Sequence, residues 1–361
     1  MDFGDLPVFT KATTYPCILR IAKEEPEDSF FACQVKTLGF SSLEEYVREN
    51  SYAVHQQDLD ESGWSLAEEK TQRLLAKLKA TSVPLGEYVG GKIHYGIKTG
   101  LNEAFVIDEA TRARLIAEDA RSAELIKPFL AGRDIKRYDP PRSDKYLIFT
   151  RHGLNIDDYP AIKHYLIPFK ERLTPKPKNW AGKDWKGRKP GAYEWYEIQD
   201  TIDYHAEFEK PKIFWPEIAG SARFAFDDSS YYANNKTYLI PVADLYLLGL
   251  LNSSLLKLFI HSVCTDLQGN SFNFSAVFLE KTPIRPIDFS DPADSACHDR
   301  MVELVQTMLD LHKALSSPGP EHERTLIARR IEATDRQIDS LVYELYGLTE
   351  EEIEIVETAS R

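Results

Sequence analysis

The strongest constraint on the fold is a pair of helical patterns in the last fifth of this 361-residue chain. Apolar residues there recur every three or four positions, which places them on one face of a helix. The first set is Met301, Leu304, Met308, Leu311 and Leu315, and the second is Ile327, Ile331, Ile338, Leu341 and Leu345, with Thr334 completing the spacing between Ile331 and Ile338. Residues 316–320, Ser-Ser-Pro-Gly-Pro, interrupt them. The pattern predicts an antiparallel helical hairpin, with Gly347 as a C-cap and a capping box from Thr349 to Glu352.

The preceding residues alternate short strand and helix patterns, which predicts an α+β protein. We expect a mixed-sheet domain followed by an α-helical hairpin or bundle, with a short β-hairpin at the N-terminus. The hairpin strands are predicted at 15–21 and 30–35, and capping boxes at Ser41 and Ser65 predict two short helices. Further predictions are a helix at 111–129, one apolar helix at 245–260, and strands at 145–150, 212–215, 223–226 and 238–240.

Residues 163–189 form a basic stretch in an acidic chain. They hold nine Lys or Arg against two acidic residues, whereas the whole chain has 44 against 57 and a net charge of -13. Prolines and glycines punctuate the stretch and predict a loop. Lysines interleaved with tryptophans are typical of surfaces that contact phosphates and stack on bases. The candidate contacts are Lys176, Lys178, Trp180, Lys183, Trp185, Lys186, Arg188 and Lys189.

Four polar turns supply further candidates. Residues 96–102 form a glycine-flanked turn whose backbone amides could grip a phosphate together with a lysine. Residues 130–137 form a basic turn, and two other turns are rich in asparagine, an amide that can pair with adenine. An ordinary solvated turn is the alternative for each. The candidate residues are Lys98, Thr99, Asn102, Arg133, Lys136, Asn234, Asn235, Lys236 and Asn270.

The sequence offers no catalytic constellation. It has no glycine-rich nucleotide loop, no H-E-x-x-H and no G-x-S-x-G motif. Residues 139–142, Asp-Pro-Pro-Arg, lack the aromatic residue of the amino-methyltransferase loop and fit a simple turn. We therefore predict no catalytic, cofactor-binding or metal-binding residue in this chain. Four scattered cysteines, no signal peptide and no apolar run of membrane length predict a cytoplasmic protein without a membrane partner.

Taken in order, the motifs resemble a known family. The chain is similar to the C-terminal part of gamma-class adenine-N6 DNA methyltransferases, with a TaqI-like specificity domain, as in type II restriction–modification enzymes. The resemblance covers nearly the whole chain, at residues 4–9, 12–18, 96–102, 105–108, 126–135, 189–197, 210–217, 232–238 and 338–349.

The resemblance implies a division of the chain. Residues 1–40 resemble the last strands of a methyltransferase domain, 41–80 a helical connector, 81–242 a DNA target-recognition domain, and 243–361 a helical region. It also implies double-stranded DNA as a partner and a separate catalytic domain or subunit. That part would bind S-adenosylmethionine and carry the N-P-P-Y loop of a site-specific adenine methyltransferase.

Three other functions stay open at this point. The helical pair could be the functional part of an assembly subunit, with the basic loop binding an acidic protein. The chain could be an inactive remnant of a longer gene. A carbohydrate-binding protein is a further alternative, because tryptophans also stack on sugars.

Overall fold

The structure is a computed structural model that describes residues 1–4, 6–9, 15–25, 27–56, 69–267 and 271–360. The chain forms two compact units. The first contains residues 1–91, 218–222 and 245–361, and the second contains residues 92–217 and 223–244. The predicted capping box at Ser65 and the candidate Asn270 lie outside the described residues.

The described residues contain short strands and longer helices. The strands are β1 (Ser29–Ala32), β2 (Tyr52–His55), β3 (Val83–Pro84), β4 (His94–Tyr95), β5 (Val106–Asp108), β6 (Ile126–Leu130), β7 (Lys145–Ile148), β8 (Lys212–Pro216), β9 (Ile218–Ala219), β10 (Ala225–Asp227), β11 (Tyr232–Ala233), β12 (Thr237–Ile240), β13 (Thr265–Leu267), β14 (Ser271–Asn273) and β15 (Pro283–Ile284). The helices are α1 (Leu43–Asn50), α2 (Glu69–Ala80), α3 (Leu85–Tyr88), α4 (Asn102–Phe105), α5 (Glu109–Glu118), α6 (Ser122–Leu125), α7 (Pro160–Leu166), α8 (Lys170–Leu173), α9 (Leu245–Asn252), α10 (Ser254–Val263), α11 (Ala276–Leu279), α12 (Pro292–Leu315), α13 (Glu321–Leu345) and α14 (Glu350–Ser360). The predicted α+β class is confirmed.

The first unit is mainly helical, and its C-terminal part confirms the helical hairpin. Helices α12 and α13 pack against each other and bury Met301, Met308 and Ile338. A Schellman motif ends α13, because Gly347 has φ +59° and Leu348 donates its amide to the Tyr343 carbonyl. The Thr349 amide and the Glu352 carboxylate form the predicted capping box at 2.8 Å.

Two predictions in the first unit are wrong in detail. Strand β1 pairs antiparallel with β2, and residues 15–21 contribute a single bridge from Cys17 to Asp2. Four-residue apolar strands specify their partner weakly, so the sequence did not distinguish the two pairings. The helix predicted at 245–260 is two helices bent by 67°, because Ser253 accepts a hydrogen bond from the Leu256 amide and starts α10.

No single helix in the described part of the chain has both the length and the hydropathy of a membrane span. The bent pair α9 and α10 passes that test together, by length and composition.

A histidine in the first unit makes its stability sensitive to acid. The His261 ring lies 4.2 Å from the Phe272 ring, and its Nε2 accepts the Ala222 amide at 3.3 Å. Burial, with the nearby Lys257 charge, lowers the pKa of His261 from 6.5 to about 4. The unfolded chain thus binds the proton more tightly, and stability is lost as pH falls from about 6.5 towards 4. We expect His261→Phe to flatten this part of a urea-midpoint profile against pH. If the urea midpoint falls equally between pH 6.5 and 4 in the unsubstituted and His261→Phe proteins, His261 is not the source of the acid sensitivity.

The second unit is built on two four-stranded sheets. Their orders are β10-β8-β12-β4 and β11-β6-β7-β5, antiparallel except for the pair β11–β6. Buried apolar side chains from both sheets and from α5 and α7 form one core, and Trp215 stacks on Tyr238 with ring centroids 5.4 Å apart. The four strands predicted at 145–150, 212–215, 223–226 and 238–240 correspond to β7, β8, β10 and β12.

The helix predicted at 111–129 is wrong in its second half. Helix α5 ends at Glu118, and the chain continues through α6 into strand β6. Pro128 sits in this strand opposite Tyr146. Proline disfavours helical conformation for itself and for the preceding residue, and β7 supplies the non-local partner that makes the segment a strand.

Candidate nucleic-acid interface

Three of the predicted polar turns meet in the second unit. The Asn235 amide donates to the Ile97 carbonyl at 3.1 Å, and the Asn234 amide donates to the Leu130 carbonyl at 3.0 Å. A Cβ on Gly132 would lie 3.1 Å from the Lys236 carbonyl oxygen. The basic turn at 130–137 therefore also contacts the turn that holds Asn234 and Asn235. The turns after β4, after β6 and between β11 and β12 thus contact one another, and we call them the three-turn cluster.

Gly96 permits the close approach within this cluster. A Cβ at this position would lie 2.0 Å from the Asn234 carbonyl oxygen and 2.6 Å from that of Ala233. We expect Gly96→Ala to cost about 1–3 kcal/mol of unfolding free energy, as overpacking does. Urea unfolding measures this cost. Gly153→Ala is not a suitable control because its φ is +81°, so the matched control is Gly39→Ala, whose nearest contact would be an ordinary 3.4 Å. Equal midpoints for the two variants would contradict the predicted contact.

Several polar side chains of the cluster are used to build the turns. Thr99 is buried, and its hydroxyl donates to Asn102 Oδ1 at 2.7 Å. Contrary to the prediction from the sequence, this hydroxyl is therefore not available to a ligand. Asn234 Oδ1 accepts the Lys236 amide at 3.2 Å and the Thr237 hydroxyl at 3.1 Å. Asn235 is half-buried and its side chain has no hydrogen bond to any residue that the structure describes. It is therefore the asparagine of the turn best suited to meet a base.

The basic side chains of the cluster differ in accessibility. Arg133 is 85% exposed and Lys136 is 69% exposed, and their carboxylate partners are distant, at 3.9 and 4.0 Å. Lys236 pairs with Glu217 at 2.8 Å, and Lys98 is half-buried. Such exposed pairs are weak and can exchange a carboxylate for a phosphate.

A groove beside Arg133 was not identified from the sequence. It has a volume of about 450 Å³ and is also lined by Arg142, Lys145 and Tyr231. Arg142 follows the Asp-Pro-Pro turn, where the sequence analysis noted only the missing aromatic residue. The two cations Arg142 and Lys145, on either side of Ser143 and Asp144, are the signal that could have indicated it.

The basic stretch is partly helical, which corrects the prediction of a loop throughout. Lys163 lies on α7 and is paired with Asp157, while Arg172 on α8 pairs with Glu103 at 2.7 Å. Lys170 Nζ lies 5.2 Å from the centre of the Trp195 ring. The part outside the helices, residues 174–189, is called the basic loop below.

The base of the basic loop is closed by main-chain hydrogen bonds. The Arg188 amide donates to the Thr174 carbonyl at 3.1 Å, and the Lys176 amide donates to the Arg188 carbonyl at 3.0 Å. The loop carries five lysines, of which four have no charged partner among the described residues and Lys186 has one at 3.7 Å, Glu171. The lysines are Lys176, Lys178, Lys183, Lys186 and Lys189. They are the available positive charges of this segment.

Arg188 is not one of the available charges, and the predicted phosphate contact is wrong for it. The residue is only 4% exposed. Its guanidinium donates to five backbone carbonyl groups at 2.6–3.1 Å, those of Leu173, Thr99, Glu197, Glu194 and Trp195. All five of its donors are thereby used. Arg188 is a structural residue that joins three segments of the chain.

The surroundings of Arg188 explain its burial. Its guanidinium lies 4.5 Å from the centre of the Tyr193 ring, and burial lowers the pKa of Arg188 from its ordinary value to about 10. Gly100, with φ +81°, leaves room for the side chain, since a Cβ there would lie 2.6 Å from Arg188 Cδ. Arg188 thus fastens the basic loop to the turn that follows β4. A continuous set of contacts joins the loop to the three-turn cluster.

The described residues do not fit S-adenosylmethionine, the cofactor that the resemblance implies for an intact enzyme. Parallel pairing between their named strands is limited to two residues each of β11 and β6. An open parallel sheet, whose strand ends hold such nucleotide cofactors, is therefore lacking in this part of the chain. No group of three or more His, Cys, Asp or Glu side chains among them could hold a metal ion. We assign no chemical step to these residues.

Comparisons with known proteins find similar sequences in restriction–modification systems. Residues 127–284 match the model of the TaqI-like C-terminal specificity domain. The type II methyltransferase M.BstVI of Geobacillus stearothermophilus is 24% identical over 304 residues, which are 82% of this chain and 46% of that protein. The restriction enzyme and methyltransferase RM.Eco57I of Escherichia coli is 22% identical over 98% of this chain and 38% of its own length.

A solved structure has a similar fold. The type IIL restriction–modification enzyme MmeI, in complex with DNA, matches with a TM-score of 0.52 at 14% identity. The match covers 90% of this chain and 39% of that one. This chain spans less than half the length of these three proteins. Residues 127–284 are therefore similar to TaqI-like C-terminal specificity domains, and most of the chain is similar to part of the type II methyltransferases.

Proposed function

We propose that this chain is the sequence-specific DNA-recognition module of an adenine-N6 DNA methyltransferase in a restriction–modification system. The observation that carries the proposal is the joined surface of the second unit, where the three-turn cluster and the basic loop present accessible cations and amides. Lysine and arginine on such a surface give affinity through phosphates, and amides read base edges.

The distribution of charge supports this location. The second unit has 25 Lys and Arg against 23 Asp and Glu, a net charge of +2. The rest of the chain has 19 against 34, a net charge of -15. The acidity of the chain therefore belongs to the other unit, and a local positive field can attract DNA in spite of the total.

The proposal includes a partner and a division of labour. Residues 81–242 would recognise duplex DNA, 243–361 would form a helical docking region, and 1–80 would join them to a catalytic methyltransferase domain or subunit. That partner would bind S-adenosylmethionine and receive the extruded adenine. The proposed compartment is the cytoplasm, where scattered cysteines stay reduced.

The proposal is tested by measuring how tightly the chain binds a labelled random-sequence duplex. Fluorescence anisotropy gives the affinity over a range of salt concentrations. We expect the logarithm of the association constant to fall linearly with the logarithm of the salt concentration. Absence of binding at low salt would overturn the proposal. Equal binding of an acidic polypeptide would also overturn it and would favour an assembly subunit.

A further inference from the structure

Trp180 is an unusual surface residue. It is 42% exposed, and among the four tryptophans that the structure describes it is the exposed one. Its position is the outer part of the basic loop, between Lys178 and Lys183. A large apolar ring held in water among cations suggests a ligand with both an aromatic face and negative charge.

The loop is shaped to hold this ring. The Trp185 ring meets the Trp180 ring edge to face, with centroids 4.9 Å apart and planes at 69°. Trp185 is itself anchored, because its Nε1 donates to the Thr174 carbonyl at 3.3 Å. Trp180 is therefore connected through Trp185 to the closed base of the loop.

Two glycines are needed for this arrangement. A Cβ on Gly182 would lie 2.7 Å from the Trp180 indole carbons Cε2 and Cζ2. A Cβ on Gly187 would lie 2.6 Å from Trp185 Nε1 and 2.2 Å from the Thr174 carbonyl oxygen. The main chain thus packs closely against both indoles. A ring held in place loses little freedom when it binds, which favours affinity.

We propose that Trp180 is a stacking platform for a nucleobase that has left the duplex stack, with Lys178 and Lys183 holding the adjoining phosphates. Bases inside an intact duplex stack on one another and present only their edges, so an indole face can stack only on an unstacked base. A neutral sugar would not use the lysines. The inference rests on the proposed DNA-recognition function and adds the substrate class, an unpaired base beside duplex DNA.

The test compares two labelled duplexes that differ by one extra unpaired adenine in the centre. Stacking on one base contributes about a 5- to 150-fold change in affinity. We expect the full chain to bind the bulged duplex tighter than the perfect duplex by a factor in this range. Trp180→Ala should bring the affinity for the bulged duplex down to that for the perfect duplex, and Trp180→Phe should restore part of the preference.

The matched control is Ile167→Ala, which removes another exposed apolar side chain of the second unit. It should leave the preference unchanged. A preference for the bulged duplex that survives Trp180→Ala would overturn this inference alone. Absence of binding to both duplexes by the unsubstituted chain would overturn the proposed function as well. Quenching of Trp180 fluorescence by a neutral oligosaccharide, independent of salt, would overturn the inference in favour of a sugar ligand.

Discussion

Replacing Lys176, Lys178, Lys183 and Lys189 together by alanine should weaken duplex binding about a thousandfold near 0.1 M salt. Each phosphate contact contributes about 0.9 to the slope of log affinity against log salt, so four contacts contribute roughly three to four units. These side chains have no charged partner among the described residues, and they extend from a loop whose base is fixed. Loss of these four lysines should lower the affinity for duplex DNA without unfolding the protein.

A charge-matched variant separates a local contact from the effect of total charge. Lys23, Lys36, Lys79 and Lys313 are exposed residues of the first unit. Replacing these four by alanine changes the net charge equally and should leave the salt slope within about one unit of its original value. Equal slopes for the two quadruple variants would contradict the role of the basic loop.

Arg188→Met should destabilise the protein by at least about 3 kcal/mol. The substitution removes the guanidinium donor from three buried carbonyl groups, those of Leu173, Thr99 and Glu197. Each buried group left unsatisfied costs about 1–3 kcal/mol. Arg188→Lys should be intermediate, because one ammonium cannot supply the geometry of the guanidinium fork. Urea unfolding followed by tryptophan fluorescence measures both costs.

The neighbouring Lys186 provides the control for this prediction. Lys186→Met removes the same charge two residues away at an exposed position, and should change stability by less than about 0.5 kcal/mol. Trypsin should cleave the basic loop faster in the Arg188→Met protein than in the Lys186→Met protein. If Arg188→Met keeps full stability and lowers the salt slope by about one unit, Arg188 contacts phosphate and the structural role is wrong.

The parts of the fold that depend on local spacing could be predicted from the sequence. The α12–α13 hairpin follows from apolar residues three and four positions apart, and the caps at Gly347 and Thr349 follow from contacts within a few residues. The strand at Pro128 was missed, because its conformation depends on pairing with β7. Local propensity does not contain that information.

The candidate site also has parts that could be predicted from local sequence and parts that depend on distant contacts. The sequence identified each polar turn and the basic stretch separately. The contacts that join them, such as Asn235 to Ile97 and Arg188 to Thr99, span 138 and 89 residues. In the sequence Arg188 looks like any other cation of the basic stretch, and only the folded chain surrounds it with carbonyl groups. The distinction between the buried Arg188 and the accessible lysines therefore required the structure.

The measurement that tests the central claim most directly is selection of bound sequences from a random duplex pool, with sequencing, at two salt concentrations. The account predicts enrichment of one short adenine-containing site at both salt concentrations, and enrichment of the same site with less bound DNA in the quadruple variant of the basic loop. Salt-dependent binding without any enriched site would contradict sequence-specific recognition by this chain.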